Sequence, residues 1–89
     1  MKKNPAINKN PLKPLSHESF NVTIGSIYRH YKGLNYKILA IARHSETLEE
    51  MVVYQALYGD FGIWVRPLKM FLETVIIDGQ SQARFQKVD

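Results

Sequence analysis

The sequence predicts an all-β domain: about five short antiparallel strands curled into a small barrel, behind an extended N-terminal leader. Three observations predict it. Short runs rich in β-branched and aromatic residues recur along the chain. Turn signals built from Gly, Asp and Pro separate those runs. The chain has 89 residues and is 45% hydrophobic, enough for one thin core. A single flat layer of sheet cannot bury its own apolar face, so the sheet is expected to close on itself.

Residues 1–19 form the leader. Pro5, Pro11 and Pro14 recur among Asn, Lys and Ser, and each removes a backbone donor and biases its neighbour away from helix. The single domain spans residues 20–89. Val22 to Tyr31 reads as a first strand interrupted at Gly25, with Lys32-Gly33 as the following turn. In the second strand Tyr36, Ile38, Ala40 and Ala42 alternate with Lys37, Leu39, Ile41 and Arg43. His44 to Glu49 then connects to a third strand over Met51 to Tyr58.

That third strand has a competing reading. Thr47-Leu-Glu-Glu50 fits a helix capping box, and Leu48, Met51, Val52 and Gln55 nearly make a helical face. The β-branched and aromatic content of 51–58 favours strand, with Val52, Tyr54, Ala56 and Tyr58 on one face. Gly59-Asp-Phe-Gly62 is a turn that leads into Ile63 to Arg66, expected to pair antiparallel with the third strand. Pro67 ends that strand and Leu68 to Met70 suits a single helical turn. Phe71 to Ile77 is a further strand. Asp78-Gly79 turns the chain into a short last strand that ends near Phe85.

Composition excludes several function classes. There is no cysteine, so neither a disulfide framework nor a thiolate zinc site is available. No apolar run approaches the roughly 20 residues that span a bilayer, and the N-terminus has no signal-peptide core. A cytoplasmic location without membrane partner is expected. The formal charge is +4, but residues 1–19 carry +3 of it. The folded body therefore lacks the dense basic stripe of a nucleic-acid binder, and nucleic acid has weaker support than other partners.

The segments Gly25-Ser-Ile-Tyr-Arg-His-Tyr-Lys-Gly33 and Ala42-Arg-His-Ser-Glu-Thr47 are distinctive. Together with Leu57-Tyr58-Gly59-Asp60, Trp64-Val-Arg-Pro67, Met70-Phe71 and Arg84-Phe85, they resemble a bacterial domain-of-unknown-function family, number 1653. The likeness spans about residues 22–86, with Tyr28, Arg29, His30, Tyr31, Gly33, Arg43, His44, Ser45, Glu46, Trp64, Arg66, Pro67 and Arg84 matching its motifs. The resemblance implies a compact SH3-like β-barrel. It implies no activity, ligand or role for any of these residues.

The chemistry-bearing residues are arginines and histidines at strand ends. Arg43, His44, Arg66 and Arg84, with Trp64 and Tyr54 nearby, are the candidate ligand-binding set. Guanidinium is a planar fork of donors suited to carboxylate or phosphate. The expected function is a small binding or interaction module for an anionic small molecule or protein. The structural reading of the same residues is pairing with Glu46, Glu49, Glu50, Asp60 and Glu73. A rival is a small enzyme with His44 and Glu46 as acid and base; a third reading is a structural or protein-interaction domain. No catalytic residue, metal ligand or cofactor is assigned. His30, His44 and Glu46 lack a metal-binding signature. His44, Ser45 and Glu46 are too close in sequence for a hydrolytic triad without a sharp bend.

Overall fold

The computed structural model describes residues 13–89; leader positions 1–12 lie outside the described residues. A 3-10 turn, His17–Asn21, precedes seven strands and one short helix. The strands are β1 (Ile27–His30), β2 (Asn35–Arg43), β3 (Glu50–Ala56), β4 (Ile63–Pro67), β5 (Thr74–Ile77), β6 (Gln80–Ala83) and β7 (Phe85–Lys87). The helix α1, Leu68–Phe71, lies between β4 and β5.

The barrel does not form. Five strands make an open antiparallel sheet in the order β4-β3-β2-β1-β7, and β5 pairs with β6 in a separate two-stranded sheet. Closure requires the terminal strands β4 and β7 to pair, and they do not. The reason lies in the chain after Pro67. It turns into α1, whose Leu68 and Phe71 are buried in the core, and then runs out along the β5–β6 hairpin. The chain returns as β7 beside β1. A helical turn thus covers the apolar face that strand closure was expected to cover. The SH3-like barrel and the count of about five strands are both corrected by this topology.

The core consists of Val22, Tyr28, Ile38, Val52, Tyr54, Leu68, Phe71 and Phe85. Cross-strand partners share a face, so the register gives its layers: Tyr28 opposite Tyr36, Ile38 opposite Tyr54, Ile41 opposite Val52. A bulge between Ile38 and Ala40 shifts the β2–β3 register. The extra residue turns Ile41 towards the core, where the simple alternation had placed Ala40 and Ala42. Segment 50–56 is a strand, not a helix, and buries Val52, Tyr54 and Ala56. The Thr47 hydroxyl, instead of capping a helix, accepts the Glu49 N–H at 3.1 Å inside the β2–β3 loop. At Asp78-Gly79 both φ angles are positive, 51° and 79°, as a two-residue hairpin turn of the I′ type requires.

Candidate functional site

The site is built around Phe85, the first residue of β7. Phe85 is 6% exposed. It stacks on Phe71 with ring centroids 4.2 Å apart and planes 8° from parallel. Tyr54, Tyr36 and His30 meet it edge-on at 5.7, 5.8 and 4.9 Å. His30 faces Phe85 because the two are register partners across β1 and β7. The sheet thereby converts a dispersed sequence pattern into one aromatic cluster with a polar rim.

Two guanidinium groups stand on that rim. Arg66, near the end of β4, lies over the Phe85 ring with Cζ 5.6 Å from the centroid. Its Nε donates a long hydrogen bond, 3.5 Å, to the Tyr54 hydroxyl. Among the described residues no carboxylate pairs with it. Arg84 lies over Tyr31 at 6.0 Å and meets Glu73 Oε1 at 3.4 Å, a loose and partly exposed contact. The Arg84 Nε is buried and has no hydrogen-bond partner among the described residues. A buried donor left unmade is costly; Nε itself is closed to solvent, so an acceptor from outside meets the Nη groups.

His30 feels both charges. Its ring contacts Tyr31 at 4.5 Å, and its Nδ1 accepts the Lys32 N–H at 3.1 Å. The neutral ring therefore carries its proton on Nε2. Burial holds the His30 pKa below its ordinary 6.5, and the positive charges of Arg84, Arg66 and Lys32 lower it further. Beyond it the Tyr36 and Tyr58 hydroxyls are 2.6 Å apart. Burial, then the bond to Tyr58, pushes Tyr36 up to about 12, against the opposing pull of Arg66. Tyr36 thus stays protonated at neutral pH. One of the two hydroxyls donates to the other, which leaves a single O–H free to donate elsewhere.

The sequence-selected residues divide between this site and other places. Arg66 lies over Phe85 and Arg84 over Tyr31, both near enough to act on the His30 ring, and Tyr54 forms part of the wall. Trp64 is on the same face of the sheet as Tyr54 but is 59% exposed. Arg43 stands apart at the end of β2, opposite Glu50, where its Nη2 donates to the Lys13 carbonyl at 2.9 Å. His44 is a loop cap: its Nδ1 accepts the N–H groups of Glu46 and Thr47 at 3.1 and 3.3 Å. No hydrogen bond links its ring to the Glu46 carboxylate among the described residues. His30 and Phe85 belong at the centre, although sequence reasoning did not place them in the binding set. The available signal was Arg84-Phe85 itself, a cation beside a core aromatic.

Surface depressions among the described residues include two of note. The larger, about 340 Å³, is lined by Glu18, Glu49 and Glu50 against Lys69, which is the wrong sign for an anion. The smaller, about 250 Å³, borders the site at His30 and Tyr31 and continues along Gln82 and Ala83. No group of three or more His, Cys, Asp or Glu side chains among the described residues is placed to hold a metal ion. No helix there is long and apolar enough to cross a membrane.

Residues 26–87 match the family described as a protein of unknown function, DUF1653. The chain belongs to the DUF1653 family. It is also similar to the crystal structure of a DUF1653 protein from Bordetella bronchiseptica. The identity is 40% and the TM-score 0.68, over 76% of this chain and 90% of that one. No curated protein matches the chain. Family membership agrees with the motifs read from the sequence, and it leaves this DUF1653 domain one of unknown function. The matched span contains the whole Phe85 cluster, so the geometry lies within the family's domain.

Proposed function

We propose that this DUF1653 domain is a binding module that holds an oxyanion, phosphate or carboxylate, between Arg66 and Arg84 beside His30. One observation carries the reading. Two guanidinium groups flank a single aromatic cluster, and only the loose Glu73 contact opposes them. Charge-assisted bonds from such forks are short and directional. A low-dielectric aromatic wall strengthens them relative to water. The free O–H of the Tyr36–Tyr58 pair adds a neutral donor.

Calorimetric titration with inorganic phosphate, acetate and adenosine monophosphate tests the proposal and separates the sources of the anion. Phosphate is expected to bind in about the millimolar range. The monophosphate binds more tightly if the aromatic wall contributes. Arg66→Ala and Arg84→Ala each weaken binding at least about tenfold, as loss of a charge-assisted bond implies. Arg43→Ala leaves it unchanged. Equal affinity in wild type, Arg66→Ala and Arg84→Ala, or no binding of any of the three anions, overturns the proposal.

A further inference from the structure

We propose that β4 is a self-association edge, and that two copies of this chain pair their β4 strands antiparallel about a two-fold axis at Trp64. The two five-stranded sheets then become one continuous sheet of ten.

β4 is an outer strand of the sheet. Ile63, Trp64 and Val65 are consecutive and 61%, 59% and 59% exposed. Edge strands normally carry charges, bulges or early prolines that block pairing with another chain. β4 has one charge, Arg66, whose side chain lies over Phe85 instead of guarding the edge, and its one proline, Pro67, is its last residue, beyond the Ile63–Val65 stretch.

The hydrogen-bond parity fixes a register. Ala56 N–H donates to the Gly62 carbonyl at 2.9 Å, and Tyr54 pairs with Trp64 and Val52 with Arg66. In an antiparallel ladder, bonded and non-bonded pairs alternate. Trp64 and Arg66 therefore direct their backbone groups at β3, whereas Ile63 and Val65 direct theirs outwards. Pro67 falls in the outward set, consistent with its lack of an N–H. A two-fold axis at Trp64 sets Ile63 of one copy against Val65 of the other, twice. Each pairing exchanges two N–H to carbonyl bonds, which satisfies all four outward donors. The Trp64 side chains meet at the intervening non-bonded pair, where strands bring side chains closest.

Other registers fail on this chain's own residues. A slip that brings Ile63 against Pro67 sets the Ile63 carbonyl against the proline ring, where it finds no donor. The opposite slip runs into Phe61, whose φ is +57° and which belongs to the turn. In the two-fold register Phe61, 52% exposed, lies in the turn just before the pairing. Its exposed surface and that of the three strand residues amount to no more than about 1,000 Å² over both copies, the size of a weak, concentration-dependent contact. In this register Asp60 of one copy falls opposite the Leu68–Lys69 end of the other, so a carboxylate and the Lys69 ammonium share that end of the contact.

Trp64 is the only tryptophan in the chain, so its fluorescence reports the contact directly. Sedimentation equilibrium and emission spectra of the full chain are recorded from about 1 μM to about 1 mM, the range that a contact of this size supports. The expected result is a monomer–dimer equilibrium in that range, with emission moving to shorter wavelength as dimer forms. Val65→Pro removes an outward N–H and leaves the β3 ladder intact. Ile63→Lys places a charge on the edge. Each is expected to raise the dissociation constant at least about tenfold with an unchanged far-ultraviolet circular dichroism spectrum. A monomer throughout, a dimer whose Trp64 emission does not shift, open-ended species beyond the dimer, or dimers unaffected in both variants would each overturn the proposal.

Discussion

Phe85→Ala is expected to destabilise the domain by about 3–5 kcal/mol, the cost of deleting a buried aromatic ring and leaving its cavity. The ring is 6% exposed and is the element that Phe71, Tyr54, Tyr36 and His30 share. Native domains have only about 5–15 kcal/mol of stability, and small ones lie low in that range. The substitution therefore takes most of the folding free energy. Urea unfolding followed by circular dichroism measures it. Ile76→Ala, 67% exposed on the β5–β6 hairpin, is the companion and should shift stability by less than about 0.5 kcal/mol. Equal midpoints for Phe85→Ala and wild type would show that the core is centred elsewhere.

Arg66→Glu should give the largest effect on the site. Reversing this charge replaces a donor fork with an acceptor that repels an anion. Phosphate affinity is expected to fall at least about a hundredfold, beyond the effect of simple truncation. The same substitution makes a prediction that needs no ligand. The Arg66 charge helps to hold His30 low and opposes the rise of Tyr36. Its reversal moves both titrations upwards, and nuclear magnetic resonance titration of the His30 ring follows the first. An unmoved His30 would mean that Arg66 does not act on the site in solution.

Local chemistry made the strands and turns legible. The β-branched run at 51–56, the Gly59–Gly62 turn and the Asp78-Gly79 hairpin each rest on residues adjacent in sequence. Closure was not legible. Whether β4 meets β7 depends on the path of residues 68–84, and a one-turn helix with an outlying hairpin carries the same apolar content as a closing strand. The β2 bulge was hidden for a related reason: both faces of 38–42 are apolar, so alternation fits either register. For the candidate site, the arginines were legible as a class. Their grouping was not, because it depends on β7 docking beside β1. That docking sets Phe85 opposite His30 and within reach of Arg66, and leaves Arg43 with Lys13 and Glu50.

The most direct test of the Arg66–Arg84–His30 site is the His30 ring titration with and without sulfate at fixed ionic strength. Sulfate keeps its charge through the range in which histidine titrates. Without it, burial and the neighbouring cations hold the His30 midpoint below 6.5. A bound anion offsets those cations and stabilises the protonated ring, so the midpoint should rise. By linkage, sulfate should then bind more tightly as pH falls through that midpoint, at about pH 5 more than at about pH 7.5. A His30 midpoint that starts at or above its ordinary value, or that stays fixed as sulfate is added, would contradict the account.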